Sequence, residues 1–176
     1  ISRKPFDMTT KTASKIAFLF PGQGSQAVGM GKDLYLNSVA AREVFDEIDD
    51  TLGRKLSALM FEGPDDELRQ TENTQPAMLA AGYATFKVLS NEVDLSPICM
   101  AGHSLGEYTA LVAAKSLNYF EAVKLVRKRA ELMQSAVPVG SGAMAAILGL
   151  DDEKVIEICS QSKILGVVEA VNFNSP

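Results

Sequence analysis

The chain has 176 residues, of which 47% are apolar and 22% are charged, and its formal net charge is −5. The apolar fraction excludes a disordered chain, and no segment approaches the roughly 20 apolar residues of a membrane-spanning helix. Seventeen basic residues against 22 acidic ones disfavour binding to nucleic acid. The length corresponds to one domain or to one and a half.

The two cysteines, Cys99 and Cys159, form neither a disulfide framework nor a CxxC metal-ligand pair. They favour a reducing, cytoplasmic compartment, and the pattern indicates no metal site and no cofactor. The first residues are polar and lack the apolar segment of a secretory signal. We therefore expect residues 1–14 to be a tag or a disordered tail outside the fold.

The first apolar segment, residues 16–20, ends abruptly at Pro21 and Gly22. It predicts a parallel strand that is buried on both faces. Residues 39–52 carry apolar side chains at helical spacing and predict an amphipathic helix. Farther on, the turn at residues 63–66 predicts a short helix, and Pro76, at a typical first helical position, predicts the start of a longer one.

The middle of the chain repeats the order of strand and helix. Residues 97–101 predict a second short apolar strand, and a helix follows directly at residues 107–115. Asn118 and Glu121 have the spacing of a capping box, which predicts that another helix begins there and continues to about Ala136. Strands that alternate with helices indicate an α/β fold with a parallel sheet.

A Gly-rich linker at residues 137–142 is the best candidate for a domain boundary. Beyond it, residues 143–150 predict a strand, residues 151–162 a helix capped by Asp151, and residues 166–173 a further strand. We interpret this β-α-β unit as the incomplete beginning of a small split βαβ domain.

A Gly-x-Ser-x-Gly motif at residues 102–106 lies between the second predicted strand and its helix. This is the context of a nucleophile elbow, in which a sharp strand-to-helix turn exposes the hydroxyl of Ser104. The N–H of Leu105, at the start of the helix, could hold the oxyanion of a tetrahedral intermediate. The alternative is a tight turn in which Ser104 only caps the helix.

His103 is the single histidine of the chain. Because neighbouring residues of such a turn point in different directions, it is a poor candidate for the base that deprotonates Ser104. A hydrogen-bonding role that braces the elbow fits it better. The predicted nucleophile therefore lacks its base within this chain.

Arg129 is predicted to lie on the apolar stripe of its helix, because its neighbours three and four positions away are all apolar: Leu125, Val126, Leu132 and Met133. A guanidinium in that place needs an anionic partner. It could pair with an internal Asp or Glu, reach out to solvent, or bind the carboxylate of a substrate through two parallel hydrogen bonds.

The loop at residues 21–26 follows the first strand, where open α/β sheets place ligand contacts. Its pattern does not match a phosphate-binding loop. Gln23 could supply a second oxyanion donor, or the loop could simply form a turn.

Taken together, these motifs resemble malonyl-CoA:acyl carrier protein transacylases of fatty-acid biosynthesis. The resemblance covers residues 16–176 but only about the first half of a family member. The segments that carry it are FPGQGSQ at 20–26, TQPA at 74–77, GHSLGEY at 102–108, GAMAA at 142–146 and NFNSP at 172–176.

The resemblance implies a two-step transfer of a malonyl group from malonyl-CoA to the phosphopantetheine thiol of acyl carrier protein through a seryl intermediate. Ser104 would be the nucleophile, with Gln23 and Leu105 as oxyanion donors. Arg129 would bind the malonyl carboxylate, and His103 would belong to the substrate site. No cofactor, metal, nucleic acid or membrane is implied.

The resemblance also implies a fold: an α/β-hydrolase-like core at residues 15–138 and the start of a ferredoxin-like subdomain at residues 139–176. The family's general-base histidine lies beyond position 176, so we expect an incomplete enzyme whose C-terminal half is its missing partner. A serine hydrolase or thioesterase with the same elbow, and a non-catalytic fragment, are the alternatives.

Overall fold

A computed structural model describes residues 15–94, 96–137 and 140–174. The expectation for residues 1–14 lies outside these residues. The chain divides after Val137 into two compact units, called here the N-terminal unit and the C-terminal unit. Among the described residues, no helix has both the length and the apolar character needed to cross a bilayer.

In the described part of the N-terminal unit, the sheet consists of two parallel strands, β1 (Ala17–Phe20) and β2 (Cys99–Gly102). Both strands lie where the sequence predicts them. One face is covered, because Phe18 and Phe20 pack against Phe86 with their rings about edge-to-face. The prediction that the first strand is buried on both faces is wrong, because Leu19 on the other face is 77% exposed.

Seven helices of the N-terminal unit are described: α1 (Lys32–Asn37), α2 (Val39–Leu52), α3 (Leu56–Glu62), α4 (Asp65–Leu68), α5 (Thr71–Glu92), α6 (Gly106–Ala113) and α7 (Tyr119–Ala136). The sequence predicts all of them except α1 and α3. Asn118 caps α7 as predicted, since its side chain accepts a hydrogen bond from the Glu121 N–H.

Helix α5 begins earlier than predicted. Pro76 is its sixth residue and not its first, because the helix already begins at Thr71. The side chains of Asn73 and Thr74 tie this extra turn to carbonyls at the end of α4. Tertiary hydrogen bonds therefore support a helical turn that a proline pattern alone does not predict.

The core lies between α2, α5 and α7, which pack against one another. Its largest fully buried apolar side chains come from five helices and the elbow: Val44, Phe45, Ile48, Leu56, Met60, Leu68, Leu79, Leu105, Val123 and Val126. The Tyr119 hydroxyl donates to the Val44 carbonyl over 3.1 Å inside this core. Burial raises the pKa of this phenol well above its usual value.

The C-terminal unit contains α8 (Asp152–Ser162) and a short 3-10 helix, Lys163–Leu165. The strands predicted at residues 143–150 and 166–173 are absent among its described residues, because neither segment is hydrogen-bonded to a neighbouring strand. Asp151 precedes α8, but its side chain makes no capping hydrogen bond. The prediction of that cap is therefore wrong.

Candidate active site

The candidate site begins at the turn between β2 and α6. Ser104 has a φ of +51°, a left-handed conformation that is strained for a residue with a side chain. The turn is held by its backbone, since the His103 N–H donates to Phe20 O over 3.1 Å and the Gly106 N–H donates to His103 O over 2.8 Å. In this conformation the Ser104 side chain is exposed, just after the end of β2.

Both glycines of the Gly-x-Ser-x-Gly motif are required by close approach of backbone atoms. A Cβ on Gly102 would lie 1.9 Å from the carbonyl carbon of Gly106. A Cβ on Gly106 would lie 2.1 Å from the carbonyl oxygen of Phe20. The motif therefore has a steric reason: the elbow folds back on itself and against the end of β1.

Arg129 and Ser104, 25 positions apart in sequence, meet at this elbow. The Arg129 Nη2 donates to Ser104 Oγ over 2.9 Å, and Nη1 donates to Oε1 of Gln75. Gln75 is fully buried, and its amide nitrogen donates to the sulfur of Met133 over 3.3 Å. The guanidinium carbon also lies 5.7 Å from the centre of the Tyr108 ring.

Arg129 lies at the edge of the buried stripe of α7 and not within it. Of the four apolar neighbours that suggested a buried position, only Val126 is buried; the others are about half exposed: Leu125, Leu132 and Met133. No carboxylate among the described residues lies within ion-pair distance of its guanidinium. An internal acid therefore does not neutralise Arg129, whose polar partners there are a neutral amide and a hydroxyl.

The loop after β1 passes directly beside the elbow. A Cβ on Gly22 would lie 2.7 Å from the His103 carbonyl oxygen, so the loop and the elbow are in contact. The Gln23 side chain donates to the Thr71 hydroxyl over 3.0 Å. Within the described part of the chain, the backbone N–H groups of Gln23 and Leu105 have no hydrogen-bond acceptor. Both N–H groups are thus available to a ligand, and that of Leu105 directly follows Ser104 in the chain.

His103 braces the elbow through its backbone. Its imidazole makes no hydrogen bond to any described residue, and its Nδ1 lies against Gly22. The peptide groups of His103, and not its ring, make the hydrogen bonds of the turn.

Three further residues contact the candidate residues, although no sequence pattern marked them as functional: Gln75, Tyr108 and Thr71. A usable signal was present for Gln75 alone, because it is a polar residue next to a proline at the start of an apolar helix. Among the described residues, no group of three or more His, Cys, Asp or Glu side chains is placed to hold a metal ion.

Among the described residues, an exposed serine on a strained elbow, backbone donors without an acceptor and a guanidinium without an anionic partner form a site that suits the transfer of an anionic acyl group. The chain matches the acyl transferase domain family over residues 17–174, and it belongs to that family.

The relatives of this chain within the family are named more specifically, as malonyl transferases or transacylases. The chain is 52% identical over 164 residues to the malonyl CoA-acyl carrier protein transacylase of Bacillus subtilis, covering 93% of this chain and 51% of that protein. The acyl-carrier-protein S-malonyltransferase of Burkholderia pseudomallei is 53% identical, with a TM-score of 0.86, and the match covers 92% of this chain and 52% of that one.

A malonyl-transacylase solved in complex with a type II polyketide synthase acyl-carrier protein is 47% identical, with a TM-score of 0.88. That match covers 93% of this chain and 53% of the other. The chain thus spans about half the length of the relatives that it matches.

Proposed function

We propose that this chain is the N-terminal part of a malonyl-CoA:acyl carrier protein transacylase that acts in fatty-acid biosynthesis in the cytoplasm. The observation that carries the proposal is the 2.9 Å hydrogen bond from Arg129 to Ser104 Oγ. It joins a nucleophile at an elbow to a cation that lacks an anionic partner among the described residues. A malonyl thioester supplies both an electrophilic carbonyl and that anion.

The reaction consists of two acyl transfers. In the first, Ser104 Oγ attacks the thioester carbonyl of malonyl-CoA, a C–O bond forms, the C–S bond breaks, and coenzyme A leaves as a thiol. In the second, the phosphopantetheine thiol of acyl carrier protein attacks the seryl ester and leaves with the malonyl group, and Ser104 regains its proton. The backbone N–H groups of Gln23 and Leu105 hold the tetrahedral oxyanion in both steps.

Arg129 selects the acyl group by its carboxylate. In a malonyl group the carboxylate carbon is two C–C bonds from the carbonyl that is attacked, about 2.5 Å away. A guanidinium that already contacts Ser104 Oγ is therefore within reach of that carboxylate. An acetyl group has no carboxylate and leaves the cation unsatisfied.

The base that deprotonates Ser104 comes from the C-terminal half of the enzyme, where the resemblance places a histidine. Arg129 cannot act as this base, because a guanidinium donates hydrogen bonds and accepts none. The other polar groups described at the elbow offer Ser104 no acceptor. His103 contributes to the substrate site as a brace of the turn.

The domain organisation follows the same proposal. Residues 15–138 form the N-terminal part of a large subdomain with an α/β-hydrolase-like core, and residues 139–176 begin a ferredoxin-like subdomain. The parallel β1–β2 pair with its elbow supports the first assignment. The exposed apolar segments on either side of α8 support the second assignment. An unpaired apolar segment can become a strand when the rest of the enzyme provides a neighbouring strand.

Ser104→Ala tests the nucleophile in the full-length enzyme. We expect malonyl transfer to fall by at least about 10³-fold, and labelled malonyl-CoA to leave no label on the protein. Label that leaves the wild-type enzyme as free malonate at the same rate with and without acyl carrier protein would instead identify a hydrolase or thioesterase. Unchanged transfer by the variant would show that Ser104 is not the nucleophile and that this part of the enzyme is a non-catalytic scaffold.

Arg129→Ala tests acyl selection. We expect kcat/KM for malonyl transfer to fall by about 10- to 100-fold, because a charged hydrogen-bond partner is lost, while acetyl transfer becomes relatively more efficient. Arg129→Lys keeps the charge but not the two parallel N–H donors. Its kcat/KM for malonyl transfer should therefore lie between those of the wild type and Arg129→Ala. An unchanged preference between malonyl and acetyl would remove Arg129 from the acyl site.

The 176-residue chain without the C-terminal half provides the test of the missing base. We expect its malonyl transfer to be slower than that of the full-length enzyme by about 10⁴-fold or more. Normal turnover by the short chain would show that the base lies within it.

A further inference from the structure

Pro76 breaks the hydrogen-bond pattern of α5 near its start. A proline has no N–H, so the Glu72 carbonyl, four residues earlier, loses its normal partner within the helix. An unpaired carbonyl at a helix-packing interface costs free energy. Arg127 of α7 replaces the missing donor, because its Nη1 donates to Glu72 O over 2.9 Å.

The Arg127 guanidinium is oriented by two further contacts. Its Nε donates to Glu131 Oε1 over 2.8 Å, and its Nη2 lies 3.4 Å from Glu72 Oε2. The bond to the Glu72 main chain is shorter than the bond to the Glu72 carboxylate. The side chain is therefore held as a clamp on the backbone and not only as a surface ion pair.

The first turn of α5, residues 71–75, contacts two parts of the candidate site. Thr71 at its start accepts the hydrogen bond from the Gln23 side chain, and Gln75 at its end accepts the hydrogen bond from Arg129. A shift of this turn would thus move a partner of the oxyanion loop and the partner of the acyl-binding guanidinium together.

Helix α7 holds this turn from both sides. Its buried stripe includes Val123, Val126 and Ala130. Arg127 and Arg129 lie on opposite edges of the stripe, because two residues rotate an α-helix by about 200°. One arginine reaches Glu72 and the other reaches Gln75, so the two guanidinium groups grip the same turn of α5.

We propose that Arg127 is a positioning residue of the malonyl site: by pairing with the Glu72 carbonyl that Pro76 leaves free, it fixes the first turn of α5 and with it the Gln75–Arg129 contact. This inference rests on the proposed function. It assigns Arg127 no contact with substrate, and its effect reaches the acyl group through Gln75 and Arg129.

Other anchors keep this turn folded when Arg127 is replaced. The Asn73 side chain donates to Glu67 O and accepts from Arg54, and the Thr74 hydroxyl donates to Leu68 O. Burial, and secondarily the charge of Arg127, lower the pKa of Arg54. Removal of Arg127 therefore also relieves a repulsion, and we expect a folded variant with a displaced turn.

Arg127→Ala in the full-length enzyme is the first test. We expect kcat/KM for malonyl transfer to fall about tenfold and acetyl transfer to fall less, because the carboxylate that Arg129 binds is present in a malonyl group and absent from an acetyl group. Arg127→Lys should restore part of the loss, since its ammonium can reach one carbonyl. The control is Lys128→Ala. The Lys128 ammonium lies 3.9 Å from the Glu131 carboxylate, as a second cation beside it, and makes no hydrogen bond to Glu72. Equal losses for malonyl and acetyl would overturn the proposal, because a merely structural role reduces both.

Pro76→Ala gives the second test, because alanine restores the N–H that the Glu72 carbonyl lacks. In the Pro76→Ala background, Arg127→Ala should cost much less than in the wild-type background, and the difference measures their coupling. The same malonyl loss in both backgrounds would show that Arg127 does not act through the carbonyl.

Amide hydrogen exchange separates a failure of this inference from a failure of the proposed function. Arg127→Ala should accelerate exchange in residues 71–78, and Lys128→Ala should not, whatever reaction the enzyme catalyses. Equal exchange in the two variants would overturn the clamp. A wild-type enzyme that transfers no malonyl group, with the accelerated exchange still observed, would overturn only the proposed function and the acyl-selection role.

Discussion

The N-terminal and C-terminal units are both rich in apolar residues, but they use them differently. All the buried apolar side chains of the described residues lie between Phe20 and Ala130, in the N-terminal unit. The C-terminal unit buries none in the part that the structure describes, and Leu148 and Val167 are 89% and 97% exposed. The same kind of sequence forms a core in one unit and an uncovered surface in the other.

The difference between the two units depends on whether a structure is held by hydrogen bonds within one segment or by contacts with a distant segment. Helix α8 forms in the C-terminal unit without burying any residue, because its hydrogen bonds lie within one segment. The two apolar segments beside it form no strand, because a strand needs a hydrogen-bonded neighbour. In the N-terminal unit, β1 has that neighbour in β2, and the elbow depends on this pair.

The largest expected difference between the units concerns their glycines. Gly102→Ala places a Cβ against the Gly106 backbone, so we expect the free energy of unfolding to fall by more than about 4 kcal/mol. Gly149→Ala in the C-terminal unit meets no atom within 4 Å. Its cost should come only from the positive φ and reach about 1–2 kcal/mol. Urea unfolding of the 176-residue chain measures both, and similar midpoints would contradict the steric account of the elbow.

Truncation of isoleucine should show a smaller but clear contrast. Ile48 in the N-terminal unit is fully buried, whereas Ile156 on α8 is 50% exposed. We expect Ile48→Ala to cost about 2–5 kcal/mol, because it leaves a cavity. We expect Ile156→Ala to cost no more than about 0.5 kcal/mol in the 176-residue chain.

The isoleucine pair also tests the proposed C-terminal half. In a full-length enzyme whose remaining residues cover α8, the cost of Ile156→Ala should rise toward that of Ile48→Ala. A cost that stays the same in both lengths would show that the remainder of the enzyme does not pack on this residue.

Helix caps should give the smallest effect. Asn118 caps α7 through its side chain, whereas Asp151 before α8 makes no such bond. Asn118→Ala should cost about 1 kcal/mol. Asp151→Ala should cost only the charge–dipole interaction, about 0.3–1 kcal/mol at low ionic strength, and less in added salt. Hydrogen exchange in the first turn of each helix measures both costs. If Asn118→Ala and Asp151→Ala destabilise their helices equally and independently of salt, the two residues do not differ in capping.

The sequence predicted best those features that depend on local patterns. The residues of α2, α6 and α7, the cap at Asn118 and the strand-turn-helix at Ser104 follow from spacing, capping and glycine placement. The start of α5 was missed, because Asn73, Thr74 and Arg127 support that turn from other parts of the chain.

The candidate site divides in the same way. Periodicity singled out Arg129 as an unusual cation, although its predicted place within the buried stripe was wrong. Its contact with Ser104 and its neutral partner Gln75 join residues that are 25 and 54 positions apart. No local pattern contains that information, because side-chain contacts between helices depend on how the helices pack.

The sequence by itself determined a family, a Gly-x-Ser-x-Gly motif between a strand and a helix, and most of the helices, because these depend on local patterns of residues. Only the tertiary structure decided that β1 is covered on one face, that the segments beside α8 remain unpaired, and that Arg129 contacts Ser104 without an internal acid. These features depend on which distant segments approach each other, and on which groups are left without a partner when they do.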